Sequence, residues 1–156
     1  MIFFSDTDCD ITPKECAEYG IKMISMPYTV GDQVIYPYID FQTFDSHTFY
    51  DMLRGGTMPT TSAMSEEAYI QYFEPEFQAG NDILYVHFSS GTSNTFTIMG
   101  QAVAKLKEKY PERKFYEVDT LGITALSYNV VLECAEMYKA GKTAEEIVEW
   151  AKVEVP

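Results

Sequence analysis

Ile83-Leu84-Tyr85-Val86-His87-Phe88-Ser89-Ser90-Gly91-Thr92-Ser93-Asn94-Thr95 is the stretch on which the reading of this chain turns. The unbroken apolar run at its start predicts a buried strand over 83–88. The hydroxyl-rich run that follows predicts a loop opening a helix, on which Phe96, Met99, Ala102, Val103 and Leu106 recur at helical spacing and face inward. Side-chain OH groups and free backbone N–H groups converge where strand gives way to helix, so the loop can hold an anion without any positive charge. In a chain of formal net charge −13, recognition by such neutral donors is the recognition to look for.

Outward from this unit the same alternation repeats. Residues 2–5 read as a short buried strand. Thr12-Pro13-Lys14-Glu15 is a helix start, with Thr12 as N-cap, Pro13 at the first helical position and Glu15 closing a capping box. Gly20 stops that helix, and 21–26 reads as the second strand, giving a parallel β-α-β signature. A β-hairpin is predicted over 27–38, turning at Gly31-Asp32. Phe41, Phe44, Thr48, Phe49, Met52 and Leu53 recur at helical spacing and place an amphipathic helix over about 43–54, ended by Gly55-Gly56. After a Pro- and Thr-bearing loop, Ser65 caps a helix with Tyr69, Tyr72, Phe73 and Phe77 on one face and Pro75 placed to kink or shorten it.

Downstream, 114–118 is a further strand closing at Asp119-Thr120. A helix over 123–140 carries Leu126, Val130, Val131, Cys134 and Met137 on its apolar face, and Thr143 and Glu146 box the last helix. The pattern is α/β: an open, mostly parallel sheet flanked by helices, with a small β-hairpin. Ligands of such sheets bind outside the carboxyl ends of the strands. Loops 5–10, 89–95 and 119–122 lie there, and the Thr60-Thr61-Ser62 loop is placed to join them.

Composition bounds the function. The 156 residues make room for one domain, and 46% apolar with 22% charged residues is the balance of a globular chain. The acidity argues against nucleic acid or an anionic membrane surface as partner, and with no stretch long enough to span a bilayer no stable membrane insertion is expected. Twelve Tyr and ten Phe supply a bulky core with tyrosines at its edge, or an aromatic-walled pocket for an apolar ligand. Three cysteines without metal or disulfide spacing, and a start without a leader-like segment, are expected of a cytoplasmic protein.

Self-sufficient catalysis finds little support. Asp6-Thr7-Asp8-Cys9-Asp10 lacks the glycine and glutamate of a calcium loop, and reads as a hydrogen-bonded turn or a weak magnesium site; no metal is expected. Gly91-Thr92-Ser93-Asn94-Thr95 lacks the second glycine of a nucleophile elbow, and with only His47 and His87 available a triad finds little support, His87 being the candidate base. No nucleotide-binding glycine motif occurs, and no cofactor is expected. A serine hydrolase using Ser93 and His87 is one rival reading. The other is a phosphocarrier module related to dihydroxyacetone kinase, with His87 phosphorylated.

Several segments together resemble the DegV family of bacterial fatty-acid-binding proteins. Ser5-Asp6-Thr7-Asp8-Cys9-Asp10-Ile11 resembles its opening Asp-Ser-Thr-Ala-Asp-Leu pattern, and Pro59-Thr60-Thr61-Ser62 its Pro-x-Thr-Ser loop. The run 89–96 resembles its Ser-Ser-x-x-Ser-Gly-Thr-Tyr loop, and Asp119-Thr120 and Gly141-Lys142-Thr143 also agree. Asn94 replaces the usual glycine, where a glycine-only conformation would be strained. Family members run to nearly twice this length, so residues 1–156 are expected to be an N-terminal lobe without its C-terminal partner. The resemblance implies a lipid-binding carrier subunit, itself no enzyme, that holds a long-chain fatty acid by its carboxylate. Thr61 and Ser93 would make the contacts, with Ser62, Asn94 and Thr95 beside them. A separate kinase subunit would then phosphorylate the bound carboxylate with ATP. Burying about fifteen methylenes contributes on the order of 12 kcal/mol before association costs, so affinity would come from the tail and orientation from the hydroxyls.

Overall fold

The structure, a computed structural model, describes residues 1–155. Strand β1 (Ile2–Asp6) runs into a 3-10 turn over Thr7–Cys9 and then helix α1 (Pro13–Tyr19), where both arms of the capping box form between Thr12 and Glu15. Gly20 takes the left-handed conformation that ends the helix, at φ 72°. Strand β2 (Ile21–Ile24) is shorter than predicted. Beyond Ile24 the backbone donors leave the ladder for side chains: Ser25 N donates to Tyr72 Oη (3.2 Å) and Met26 N to Thr7 Oγ1 (2.9 Å).

The hairpin forms as β3 (Tyr28–Val30) and β4 (Gln33–Ile35), followed by helix α2 (Ser46–Arg54). That helix begins at 46 rather than 43, because the Asp45 side chain accepts from Thr48 N and caps it there. Strand β5 (Thr60–Thr61) then pairs antiparallel with β3 and makes a three-stranded sheet of what was predicted as hairpin and loop. Two residues are too few to show a period. Helix α3 (Glu66–Gln78) continues through Pro75 instead of ending there, pinned by Tyr69, Phe73 and Phe77 in the core.

Strand β6 (Ile83–His87) is buried at every position, and helix α4 (Thr95–Lys109) leads to strand β7 (Phe115–Asp119). Helices α5 (Ala125–Lys139) and α6 (Ala144–Glu154) follow, the latter with the capping box at Thr143 and Glu146. Leu126 departs from its expected inward position. It sits in the first turn of α5, beyond the end of the sheet, and is 70% exposed. No helix among the described residues is long and apolar enough to cross a membrane.

The main sheet is all parallel, in the order β2-β1-β6-β7. Helices α3 and α4 pack together on one side, while α5 contacts both α1 and α6. Phe73 centres the core, with ring centroids 5.1–6.0 Å from Phe4, Tyr69, Tyr85 and Phe115. From β1 the chain winds first toward β2 and later returns on the other side as β6. The loops leaving β1 and β6 therefore diverge, and a crevice opens between them at the carboxyl ends of both strands.

Candidate functional site

At that crevice one buried carboxylate ties the two loops together. Asp6 Oδ1 accepts from Asp8 N (3.0 Å), while Oδ2 accepts from Tyr85 Oη (3.0 Å) and from Phe88 N (3.3 Å). Burial raises its pKa to about 6; the charge of Asp8 adds to the rise, while His87 and the hydrogen bonds from Tyr85 and Cys9 oppose it. The turn reading of 6–10 holds for Asp6 and Thr7, whose side chains satisfy loop backbone.

Most hydroxyls of the serine-rich loop hold the loop itself. Ser89 Oγ accepts from Gly91 N (3.2 Å), Thr92 Oγ1 donates to Ser89 O (2.8 Å), and Ser90 Oγ donates to Asp119 Oδ2 (2.5 Å). Asp119, at the end of β7, also accepts from Leu121 N (2.9 Å), which binds the third loop to the second. Ser93 is different. Its Oγ accepts from Thr95 N (3.2 Å), which leaves its own proton free to donate. Asn94 sits at φ −75°, ψ 0°, a right-handed conformation open to any residue, so the expected glycine-related strain is absent. It caps α4 without a side-chain hydrogen bond.

Thr95 joins this loop to the other side of the crevice. Its side chain is buried, with Oγ1 accepting from Met64 N (3.1 Å) and paired with Tyr69 Oη (2.8 Å). The hydroxyl is thus committed to fixing the chain just after Thr61-Ser62-Ala63 against the start of α4. Thr61 itself is set by pairing with Tyr28 in the small sheet.

The result is a cleft of about 420 Å³ lined by Thr61, Ser62, Ser93, Asn94 and Thr95, with Asp8, Met26, Pro27, Phe88 and Ile123 around them. All five predicted site residues border this one space. An adjoining hollow of about 330 Å³ shares Asp8, Met26, Pro27 and Thr61 and continues past Tyr28, Tyr38, Phe41, Phe44 and Phe49. Asp8 comes from loop 5–10, which the sequence places at the carboxyl ends of the strands, although its side chains were read as a turn or a weak metal site and not as ligand neighbours. Burial, then the charge of Asp10, raises its pKa to about 6.

His87 lies outside this space. It is fully buried, its Nδ1 bonded to Phe88 O (2.6 Å), its Nε2 to Glu117 Oε1 (2.9 Å) and its ring stacked on Phe96 at 3.9 Å. With both nitrogens engaged and no face toward solvent, it is neither the base of a Ser93 nucleophile nor a phosphoryl acceptor in this conformation.

The chain matches the model of the DegV family, described as an uncharacterised protein family, over residues 3–153. A DegV domain-containing protein of Clostridium perfringens is 29% identical over 152 residues, covering 97% of this chain and 52% of the relative. One from Lactococcus lactis is 26% identical over 145 residues, 93% of this chain and 50% of the relative. Among solved structures, the stearic acid-binding protein from Eubacterium ventriosum has a TM-score of 0.85 at 17% identity, covering 97% of this chain and 52% of that one. The Streptococcus pneumoniae fatty acid kinase (Fak) B3 protein loaded with linoleic acid has a TM-score of 0.71 at 19% identity, with 97% and 53% covered. The chain spans about half the length of the relatives it matches. Those structures share its fold, and the family model accounts for nearly every residue of the sheet and the loops around the cleft: the chain belongs to the DegV family.

Proposed function

We propose that this chain binds a long-chain fatty acid by its carboxylate and presents it to a separate kinase subunit for ATP-dependent acyl-phosphate formation. It acts as the N-terminal lobe of a two-lobed cytoplasmic carrier and is not itself the catalyst. The observation that carries this reading is that Thr61 and Ser93, brought by different sheets, open on the same cleft. A carboxylate there receives hydroxyl donors from two sides and the positive end of α4 from a third. Ser62 and Asn94 stand at its edge. Thr95 contributes position rather than its hydroxyl, which already serves Met64 and Tyr69.

No Lys, Arg or His is among the residues lining the cleft, which suits a carboxylate that must remain nucleophilic. Each charge-assisted hydrogen bond contributes about 1.5–3 kcal/mol. Met26, Pro27, Phe88 and Ile123 offer the apolar wall against which the acyl chain starts. Two structural neighbours, one a stearic acid-binding protein and one a fatty acid kinase B3 protein loaded with linoleic acid, support the ligand class, and the second supports the kinase partner.

Native mass spectrometry of the purified protein, followed by organic extraction, tests the reading. A copurified long-chain fatty acid is expected. The double variant Thr61→Ala, Ser93→Ala should lose it and should no longer support phosphorylation of the acid by the kinase. Undiminished binding and phosphorylation in the folded double variant would remove these two contacts from the site.

A further inference from the structure

Asp8 is the one ionisable side chain among the residues lining the cleft, where Thr61, Ser62 and Ser93 also converge. The turn after β1 holds it from both sides: its N–H donates to Asp6 Oδ1 (3.0 Å), and its carbonyl accepts from Thr124 N (2.9 Å). The nearest charges are carboxylates. Asp10 stands on its own turn and Asp6 at the end of β1. Helix α3 brings the phenol of Tyr69, β6 brings the phenol of Tyr85 and the imidazole of His87, and across the adjoining hollow stand the phenols of Tyr28 and Tyr38. His87 lies behind Asp6, with its ring bonded to Glu117.

A ligand carboxylate placed on Thr61 and Ser93 therefore enters a space of about 420 Å³ bordered by Asp8 and by no Lys, Arg or His. Two carboxylates in one partly desolvated site do not both stay ionised. One proton held between them turns the repulsion into a charge-assisted O–H···O⁻ hydrogen bond.

We propose that Asp8 is a ligand-contacting residue that shares one proton with the carboxyl group of the bound acid, so that the acid is captured with uptake of a proton from solvent. This rests on the carboxylate-binding reading above. The acid arrives as RCOO⁻, Asp8 is ionised, and solvent supplies H⁺. No covalent bond changes, and the pair keeps one net negative charge, which the hydroxyls and the start of α4 stabilise. Burial and Asp10 already push the Asp8 carboxyl up to about 6, so the proton is gained close to neutral pH.

Calorimetric titration of the protein with decanoate in two buffers of different ionisation enthalpy reads the proton directly. Near pH 7.5 an uptake approaching about one proton is expected, with affinity falling about tenfold per pH unit above 7. Decanol, which carries no charge, should bind with no uptake. Asp8→Asn, or Asp8→Thr if the first does not fold, should bind decanoate with no uptake and a flat pH profile. On the unmodified protein, the Asp8 carboxyl ¹³C resonance should move toward its protonated position when decanoate is added. Decanoate binding without uptake, an equal uptake in the neutral variants, or a stationary Asp8 resonance would each overturn the proposal. Failure of decanoate to bind the folded protein or its folded variants would instead strike down the carboxylate-binding reading, and this inference with it.

Discussion

Every residue of β6 is buried, whereas no residue of β3, β4 or β5 is, and α2 beside that small sheet buries none either. The main sheet rests on rings that meet around Phe73 inside the protein. The small sheet rests on a chain of edge contacts at its surface, Tyr28 to Phe49 at 6.0 Å and Phe49 to Phe44 at 5.2 Å, with Phe44 42% exposed. Segments with little buried apolar area open at lower free energy than the core they sit on. The cleft takes Ser93 from the firm region and Thr61 from the soft one, so its geometry depends on how the second is tied to the first.

Truncating one ring in each region gives the largest contrast. Phe73→Ala should lower the unfolding free energy by about 3–5 kcal/mol in urea titration, as expected for a fully buried aromatic. Phe49→Ala, half-buried, should leave that midpoint nearly in place while speeding amide exchange in β3 and β5. Equal losses from the two would mean that the small sheet unfolds with the core.

The buried acids add a pH dependence that belongs to the firm region. Burial holds Asp6 and Asp8 at about 6 in the folded protein, above the 3.8 of a free aspartate, so between those values the folded protein binds more protons than the unfolded one. The stability they contribute is therefore full below about pH 4 and is lost as pH rises through 6, a loss on the order of 3 kcal/mol for each group taken alone. Asp6→Asn should flatten this slope in denaturation curves taken at about pH 4.5 and 7.5. A wild-type slope of the opposite sign would show that the hydrogen bonds from Asp8 N, Phe88 N and Tyr85 Oη outweigh burial.

A more local effect is expected at the tie itself. Thr95→Val keeps shape but removes the acceptor for Met64 N and the partner of Tyr69 Oη, at a loss of about 1–3 kcal/mol. Exchange at Thr61 should rise more than exchange in β6. A uniform rise would count against Thr95 as the link between the two regions.

Much of this architecture was legible before any coordinates. Thr12, Ser65 and Thr143 each place a helix start by local hydrogen bonding, and the run 83–86 marks a strand with no solvent face. Less legible were segments whose state depends on distant partners. Met26 leaves β2 for Thr7 Oγ1, Pro75 is carried within α3 by rings that bury, and β5 exists only because β3 lies beside it. In the cleft, the five predicted residues proved neighbours and loop 5–10 lies at the strand ends where the element order puts it, but the commitment of the Thr95 hydroxyl and the place of the Asp8 side chain in the lining were not foreseen.

Local propensity, capping and periodicity thus determined the order and kind of nearly all elements, because those free energies arise among residues a few positions apart. Tertiary structure alone decided the strand order β2-β1-β6-β7, and with it the switch point where the loops part. It also decided that Thr61, Ser93 and Asp8 share one cleft. Such neighbours are far apart along the chain, and the burial and pairing that join them become favourable only once the whole sheet has assembled.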